Sequence, residues 1–311
     1  MGMAKKIIII DKLAANTIGK YRNGNYNVTI LKDGTKIRET IDPNETVFIP
    51  DFAENVDVQL TDRCSQGCNF CYANCKRDGK HGSINYEFLN HLHPYTEMAL
   101  NGNDLDHPQL QELLELLHKQ KIFANITVNQ NQFMNNVSKL KGWVDQDLIK
   151  GIGVSYIKSD EKFFETIKLF DNLVIHTVLG VTEFVDYKEL SKHDVKVLVL
   201  GFKDKGRGSS YKIIHNIHKN SLQFYWELLF KNAPYKVLSF DNLAIEQLNL
   251  KEEISKEDWD RYYMGDDGQF TFFINLVDGT YAKNSCTNTA YPINGKSIDD
   301  MFKHIRNVPV D

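Results

Sequence analysis

The sequence predicts an α/β fold: a partial (βα)6 barrel, TIM-like, with an N-terminal β-hairpin extension and a C-terminal hairpin-plus-helix cap. Three observations carry this expectation. Short apolar strands alternate with helices from about residue 56 to residue 240. Alternation at this spacing is that of parallel strands joined by right-handed crossovers. At both ends the alternation gives way to two strand-like runs around an Asp-Gly turn, at Asp33-Gly34 and Asp278-Gly279.

In chain order, Tyr26–Leu31 alternates and turns at Lys32-Asp33-Gly34 into Thr35–Thr40, after which Pro43 and Pro50 punctuate the exit. Val56–Leu60 is the first strand of the repeating pattern, and Glu97–Leu100 the second. Leu110–Gln120 has apolar residues at 110, 113, 114, 116 and 117, the spacing of an amphipathic helix. Ile122–Val128, Gly151–Tyr156, Leu173–Leu179 and Val195–Leu200 read as strands three to six, and Val237–Phe240 as a further strand. Helices are expected near 131–140, 160–170 and 187–191, with a longer one over 213–232. The last residues read as a hairpin, 269–276 with 280–283, and a helix from 297 to 306. The expected units are 1–50, 51–265 and 266–311, the last capping the barrel.

Composition bounds the function. The chain has 311 residues, 42% of them hydrophobic and 25% charged, with a formal charge of −4. That balance gives no global attraction to nucleic acid or to an anionic membrane. No apolar run approaches the ~20 residues that span a bilayer. Ile7–Ile10 is followed by Asp11 and reads as a strand, not as part of a secretion signal. The expectation is a cytoplasmic protein, and five cysteines, sparse and odd in number, do not read as a disulfide framework.

Three of those cysteines, Cys64, Cys68 and Cys71, fall in a Cys-x3-Cys-x2-Cys run straight after the first strand, with Phe70 before the last. Three thiolates within eight residues can hold one face of an iron–sulfur cluster and leave one iron open. Cys75 follows, so the run can also be read as four thiolates around a structural zinc, although zinc sites usually split their cysteines between two arms. Cys286 is remote in sequence and reads as structural. The spacing, with the aromatic before the third cysteine, resembles the signature of the radical S-adenosylmethionine (SAM) enzymes.

That resemblance implies a [4Fe–4S] cluster on Cys64, Cys68 and Cys71, whose open iron chelates SAM. One electron, from a donor such as flavodoxin or ferredoxin, then cleaves SAM to methionine and a 5′-deoxyadenosyl radical, which takes a hydrogen atom from the substrate. It places Phe70 and the end of the second strand, Gly102, Asn103 and Asp104, beside SAM. There Asn103 stands where the family has the glutamate of a Gly-Gly-Glu motif. It also implies Thr127, Asn129 and Ser155 as partners of the ribose and carboxylate, and Gly180 beside the adenine. The segments outside the barrel resemble those of radical SAM proteins of phages and Firmicutes-like bacteria. No second cysteine cluster follows the barrel, as the auxiliary-cluster peptide maturases would require.

Two stretches are candidates for the substrate side. From Gly201 to Lys219 there are Lys203, Lys205, Arg207, Lys212 and Lys219 against Asp204, five minus one, a local excess of four positive charges. Lys203, Lys205 and Arg207 follow the sixth strand and can meet a phosphate. Asp241 stands at the next strand end, and Tyr263 in an aromatic–acidic turn. Three readings follow: a radical SAM enzyme acting on a nucleotide or nucleic acid; one acting on a peptide or protein, glycyl-radical activation included; and a non-enzymatic zinc- or cluster-binding module.

Overall fold

The computed structural model describes residues 15–101, 105 and 107–308, the side chains of residues 219 and 220 excepted. Three strands come first, β1 (Thr17–Asn23), β2 (Tyr26–Leu31) and β3 (Lys36–Thr40), in one antiparallel sheet. The hairpin expected over 26–40 is β2 and β3. The added strand β1 pairs with β2 from Asn23↔Tyr26 to Thr17↔Leu31. Its sequence, TIGKYRN, carries a glycine and two basic residues and so gives little strand signal.

The main sheet starts with β4 (Asn55–Gln59), β5 (Glu97–Asn101), β6 (Phe123–Asn129), β7 (Gly151–Ser155), β8 (Leu173–Val178), β9 (Lys196–Leu200) and β10 (Val237–Phe240). Each pairs in parallel with the next, so order along the chain is order across the sheet. Helices α1 (Leu110–Lys119), α2 (Gln130–Asn135), α3 (Val137–Asp145), α4 (Glu161–Ile167) and α5 (Phe184–Leu190) fill the crossovers between β5 and β9. The segment expected to be one helix near 131–140 is two, α2 and α3, broken at Asn136.

The strands alternate. Val56, Val58, Met98, Leu100, Ile126, Ile152, Val154, Ile175, Val197 and Val199 are buried, in one cluster with Leu113, Leu114 and Leu117 of α1 and Phe133 and Phe163 of α2 and α4. Each such side chain contributes about 1.5–3 kcal/mol by leaving water. The opposite face carries Asp57, Gln59, Asn101, Thr127, Ser155 and His176, all only half-buried. A parallel sheet is ordinarily apolar on both faces. A polar, incompletely covered face therefore lines accessible space.

Three further features differ from expectation. The helix expected over 213–232 is α6 (Arg207–His215) and α7 (Lys219–Tyr225), with one π turn at Trp226–Phe230. The break is Asn216, whose left-handed backbone (φ 53°) ends α6. After β10 come α8 (Asn242–Leu248), α9 (Leu250–Glu253) and α10 (Lys256–Tyr262), where no helix was expected. Last come β11 (Thr271–Asn275), β12 (Thr280–Ala282), β13 (Tyr291–Pro292) and α11 (Ile298–Asn307).

The terminal hairpin is β11 and β12, yet it is not a separate cap. β11 pairs in parallel with β4, from Thr271↔Asn55 to Asn275↔Gln59, and so extends the main sheet to ten strands. Periodicity identifies a strand but not its neighbour, and the apolar run Phe272-Phe273-Ile274 is that of an interior strand. Strands β10 and β13 end the sheet, and among the described residues no pairing joins them, so no closed barrel is formed.

The small sheet is fixed to the large one just before β4. The Glu54 carboxylate accepts from Arg38 Nε (2.9 Å) and Nη2 (3.0 Å) and from the Tyr26 hydroxyl (2.5 Å). The Arg38 guanidinium also lies over the Phe270 ring at 3.9 Å. The expected Ile7–Ile10 strand lies outside the described residues. No helix among those described is long and apolar enough to cross a membrane.

Candidate functional site

The cysteines occupy a closed excursion from the end of β4. Its stem is bonded across: Gly82 N–H donates to the Leu60 carbonyl (2.8 Å), Asp62 N–H to Lys80 (3.0 Å) and Cys64 N–H to Lys76 (2.7 Å). Within it, Cys71 N–H donates to the Cys68 carbonyl (3.3 Å) and Asn74 N–H to that of Cys71 (3.3 Å). Cys64 is buried, and Cys68, Cys71 and Cys75 are half-buried. Burial first, and then the neighbouring Cys64 and Cys71, push the Cys68 thiol up. A side-chain hydrogen bond with Cys75 pulls Cys71 down and pushes Cys75 up.

A second loop grips this one. Gly206 ends this loop after β9, and at the start of α6 the Arg207 backbone N–H donates to the Cys71 carbonyl (3.1 Å). Its guanidinium donates to the carbonyls of Cys68 (2.8 Å) and Cys75 (2.9 Å) and to Asn74 Oδ1 (3.3 Å). Gly206, at φ 58°, sits so close that a Cβ there would lie 2.4 Å from the Tyr72 carbonyl oxygen. Phe70 turns its ring onto Tyr211 of α6, edge-on at 5.8 Å.

The other expected basic residues are also bonded into the protein. Lys203 Nζ donates to Ser285 Oγ (2.7 Å) and lies 4.0 Å above the Tyr72 ring. Burial alone would favour loss of its proton, but Tyr72, Cys286, Asp241 and Asp57 outweigh that and hold it above the ordinary lysine range. Lys205 Nζ donates to the Thr287 carbonyl (3.0 Å).

Across the polar face of the sheet, Thr127 pairs in register with Gly153, and Asn129 with Ser155, which pairs with His176. These positions share one face of neighbouring strands, so the structure brings Thr127, Asn129 and Ser155 together. Asn129 is buried, and its Oδ1 accepts from Asn131 N–H (2.8 Å) as the cap of α2. Among the described residues, no hydrogen bond engages the hydroxyl of Thr127 or of Ser155. Asn131 Nδ2 donates to Gln66 of the cysteine loop (3.3 Å), which ties that loop to the end of β6. Gly180 follows β8 in a positive-φ turn (72°) against Ile217. Gly102, Asn103 and Asp104 lie outside the described residues.

Sequence reasoning missed Gly153 and Asp57. A Cβ at Gly153 would fall 2.2 Å from His176 Cε1, so the glycine makes room for the imidazole. Burial pulls His176 down to about 4, leaving it neutral at physiological pH. Asp57 faces the same side, and burial pushes it up to about 6, helped by Asp267 and Asp241 and opposed by Lys203 and Asn55. An acid inside a strand that must bury one face was the available signal.

Asp241 is a brace: its Oδ1 accepts from Gly201 N–H (2.9 Å) and Ala244 N–H (2.7 Å), joining the ends of β9 and β10 and capping α8. Tyr263 stacks on Trp259 (4.2 Å) and donates to Asp266 (2.5 Å). Both line an open cleft of about 1100 Å³ with Asn242, Asp267, Lys283 and Cys286. Asp267 is held there by Asn242 (2.7 Å) and Asn284 (2.6 Å).

Among the described residues, no three His, Cys, Asp or Glu side chains are assembled around a metal position. The donor set on the loop nonetheless fits an iron–sulfur cluster. It offers grouped thiols, with a guanidinium nearby, and soft sulfur donors suit iron–sulfur clusters and zinc rather than hard cations. The chain matches no protein-family model and no curated protein.

Proposed function

We propose that this chain is a radical SAM enzyme, holding a [4Fe–4S] cluster on Cys64, Cys68 and Cys71 and SAM along the polar face of a partial (βα)6 barrel. The observation that carries the reading is the position of the cysteine loop. It follows the first of seven parallel strands in sequential order, at their C-terminal edge, beside a polar face where the Thr127 and Ser155 hydroxyls have no hydrogen-bond partner among the described residues. In barrels of parallel strands, chemistry gathers at that edge. A loaded cluster supplies reductive cleavage of SAM to a 5′-deoxyadenosyl radical.

The chain's own residues do the rest. The bonded stem at Leu60, Asp62 and Cys64 fixes where the thiols are presented, so that little order remains to be imposed when ligands bind. Thr127 and Ser155 can each donate or accept one hydrogen bond to a polar ligand. Neutral His176 adds an uncharged ring beside them.

For the substrate, a peptide or protein is the reading we favour over a nucleotide. Lys203, Lys205 and Arg207 are spent on Ser285, Thr287 and the cysteine loop. The cleft lining carries Glu246, Asp266 and Asp267 against Lys251 and Lys283, a poor surface for a polyanion.

Anaerobic reconstitution with iron and sulfide tests the proposal. It expects about four irons per chain and, with dithionite, conversion of SAM to 5′-deoxyadenosine. Stoichiometric zinc with no iron uptake would leave the zinc module as the function.

A further inference from the structure

We propose that Arg207 is the positioning residue of the cysteine loop: reaching in from the start of α6, it holds residues 68 to 75 in the conformation that presents their sulfurs, and its charge makes a bound cluster easier to reduce.

The geometry is specific to arginine. Three carbonyls of one short turn, at Cys68, Cys71 and Cys75, accept from this one residue, two of them from its guanidinium and one from its backbone. A planar fork can reach two acceptors at once, whereas an ammonium is a single compact charge. Close approach is built into the neighbouring residues: the two loops meet at Gly206, where any side chain would run into the Tyr72 carbonyl. The two loops are far apart in sequence, so the contact locks the end of β9 to the end of β4.

The consequence for redox chemistry follows from charge. A reduced cluster carries one more negative charge than an oxidised one. A fixed positive charge nearby stabilises the reduced form more, and so raises the reduction potential. This part rests on the radical SAM reading; the loop-holding part does not.

Arg207→Lys and Arg207→Gln separate the two effects. In cluster-free protein, hydrogen exchange at the amides of Cys71, Asn74 and Lys76 should speed up at least tenfold in both variants, while amides of β5 to β8 keep wild-type protection. In loaded protein, both variants should lose iron to a chelator faster than wild type. The midpoint potential should stay near wild type in the lysine variant and become more negative in the glutamine variant. Wild-type exchange at those three amides in both variants would overturn the positioning role. Equal potentials in the glutamine variant and wild type would overturn the charge effect. Zinc uptake in place of iron would end the radical SAM reading, and the exchange measurement on cluster-free protein would still decide whether Arg207 holds the loop.

Discussion

Strand β4 carries a polar cluster at each end, and the two are built in opposite ways. Just before it, Glu54 is almost wholly buried (1% of its side chain exposed), and both oxygens are engaged by Arg38. Tyr26 donates to the same carboxylate, and Lys36 lies 4.0 Å away. Nothing in that network is open to a ligand. Just after β4 come thiols on a loop, and across the sheet from them two hydroxyls without partners among the described residues and an acid, Asp57, with one long hydrogen bond from Asn55 (3.3 Å). Folding satisfies the first cluster by itself. The second has hydrogen-bonding capacity left over that a ligand can use. Completeness of bonding, rather than burial or charge, separates the anchor from the site.

The sharpest way to break this contrast is at the cysteines. Replacing Cys64, Cys68 or Cys71 by Ala should remove iron binding altogether, measured as iron per chain after reconstitution, and leave the fold intact. Cys75→Ala should still load iron if the Cys-x3-Cys-x2-Cys triad alone holds the cluster. Loss of loading in the Cys75 variant would make the site a four-thiol one.

At the other end the effect should be on folding. Glu54→Ala leaves Arg38 without its buried carboxylate, while Lys36 keeps Glu97 (3.5 Å), and breaking a buried pair from one side costs about 3–5 kcal/mol. The shift in urea midpoint at constant slope reports it. A loss below about 1 kcal/mol would mean that water reaches this network and that it is no anchor.

Asp57 tests the open cluster through pH. Its ordinary value is 3.8, and burial raises it to about 6. Between those values the native state keeps a proton that the unfolded chain has released, so stability falls as pH rises through that window. Asp57→Asn should match wild type below the window and exceed it above, by up to about 3 kcal/mol. Equal denaturation midpoints for both proteins at pH 5 and pH 8 would show that the carboxylate is already well solvated.

How much of this the sequence foretold depended on distance. Short apolar runs between helical stretches placed β4 to β10 within a residue or two, because each strand's apolar content is local. The starts of two helices were legible locally too: they were expected at 160 and 297, where the structure has Asp160 and Ser297 as the caps of α4 and α11. The partner of β11, the break at Asn216 and the helices from 242 to 262 were not, since pairing and chain reversal are settled by contacts with remote segments. The cysteine motif was legible as chemistry. The basic run was legible as charge, but its bonds to Cys68, Ser285 and Thr287 cross 82 to 139 positions of chain, and composition holds no information on that.

The smallest expected effect draws the finest line between the two clusters. A hydroxyl with no partner in the folded chain contributes no intramolecular hydrogen bond, so its removal should leave stability nearly unchanged. Thr127→Val and Ser155→Ala should each stay within about 0.5 kcal/mol of wild type in denaturant, as substitutions away from buried networks do. If the polar face holds SAM, each should nonetheless weaken SAM binding by about 0.5–1.5 kcal/mol, a twofold to twelvefold loss for one hydrogen bond. Equilibrium dialysis of SAM against loaded protein reads this directly. A variant that loses stability and not affinity would move that hydroxyl into the class of Glu54, bonded for the fold. One that loses neither would show that SAM does not touch that strand end, and the assignment of the polar face would have to be given up.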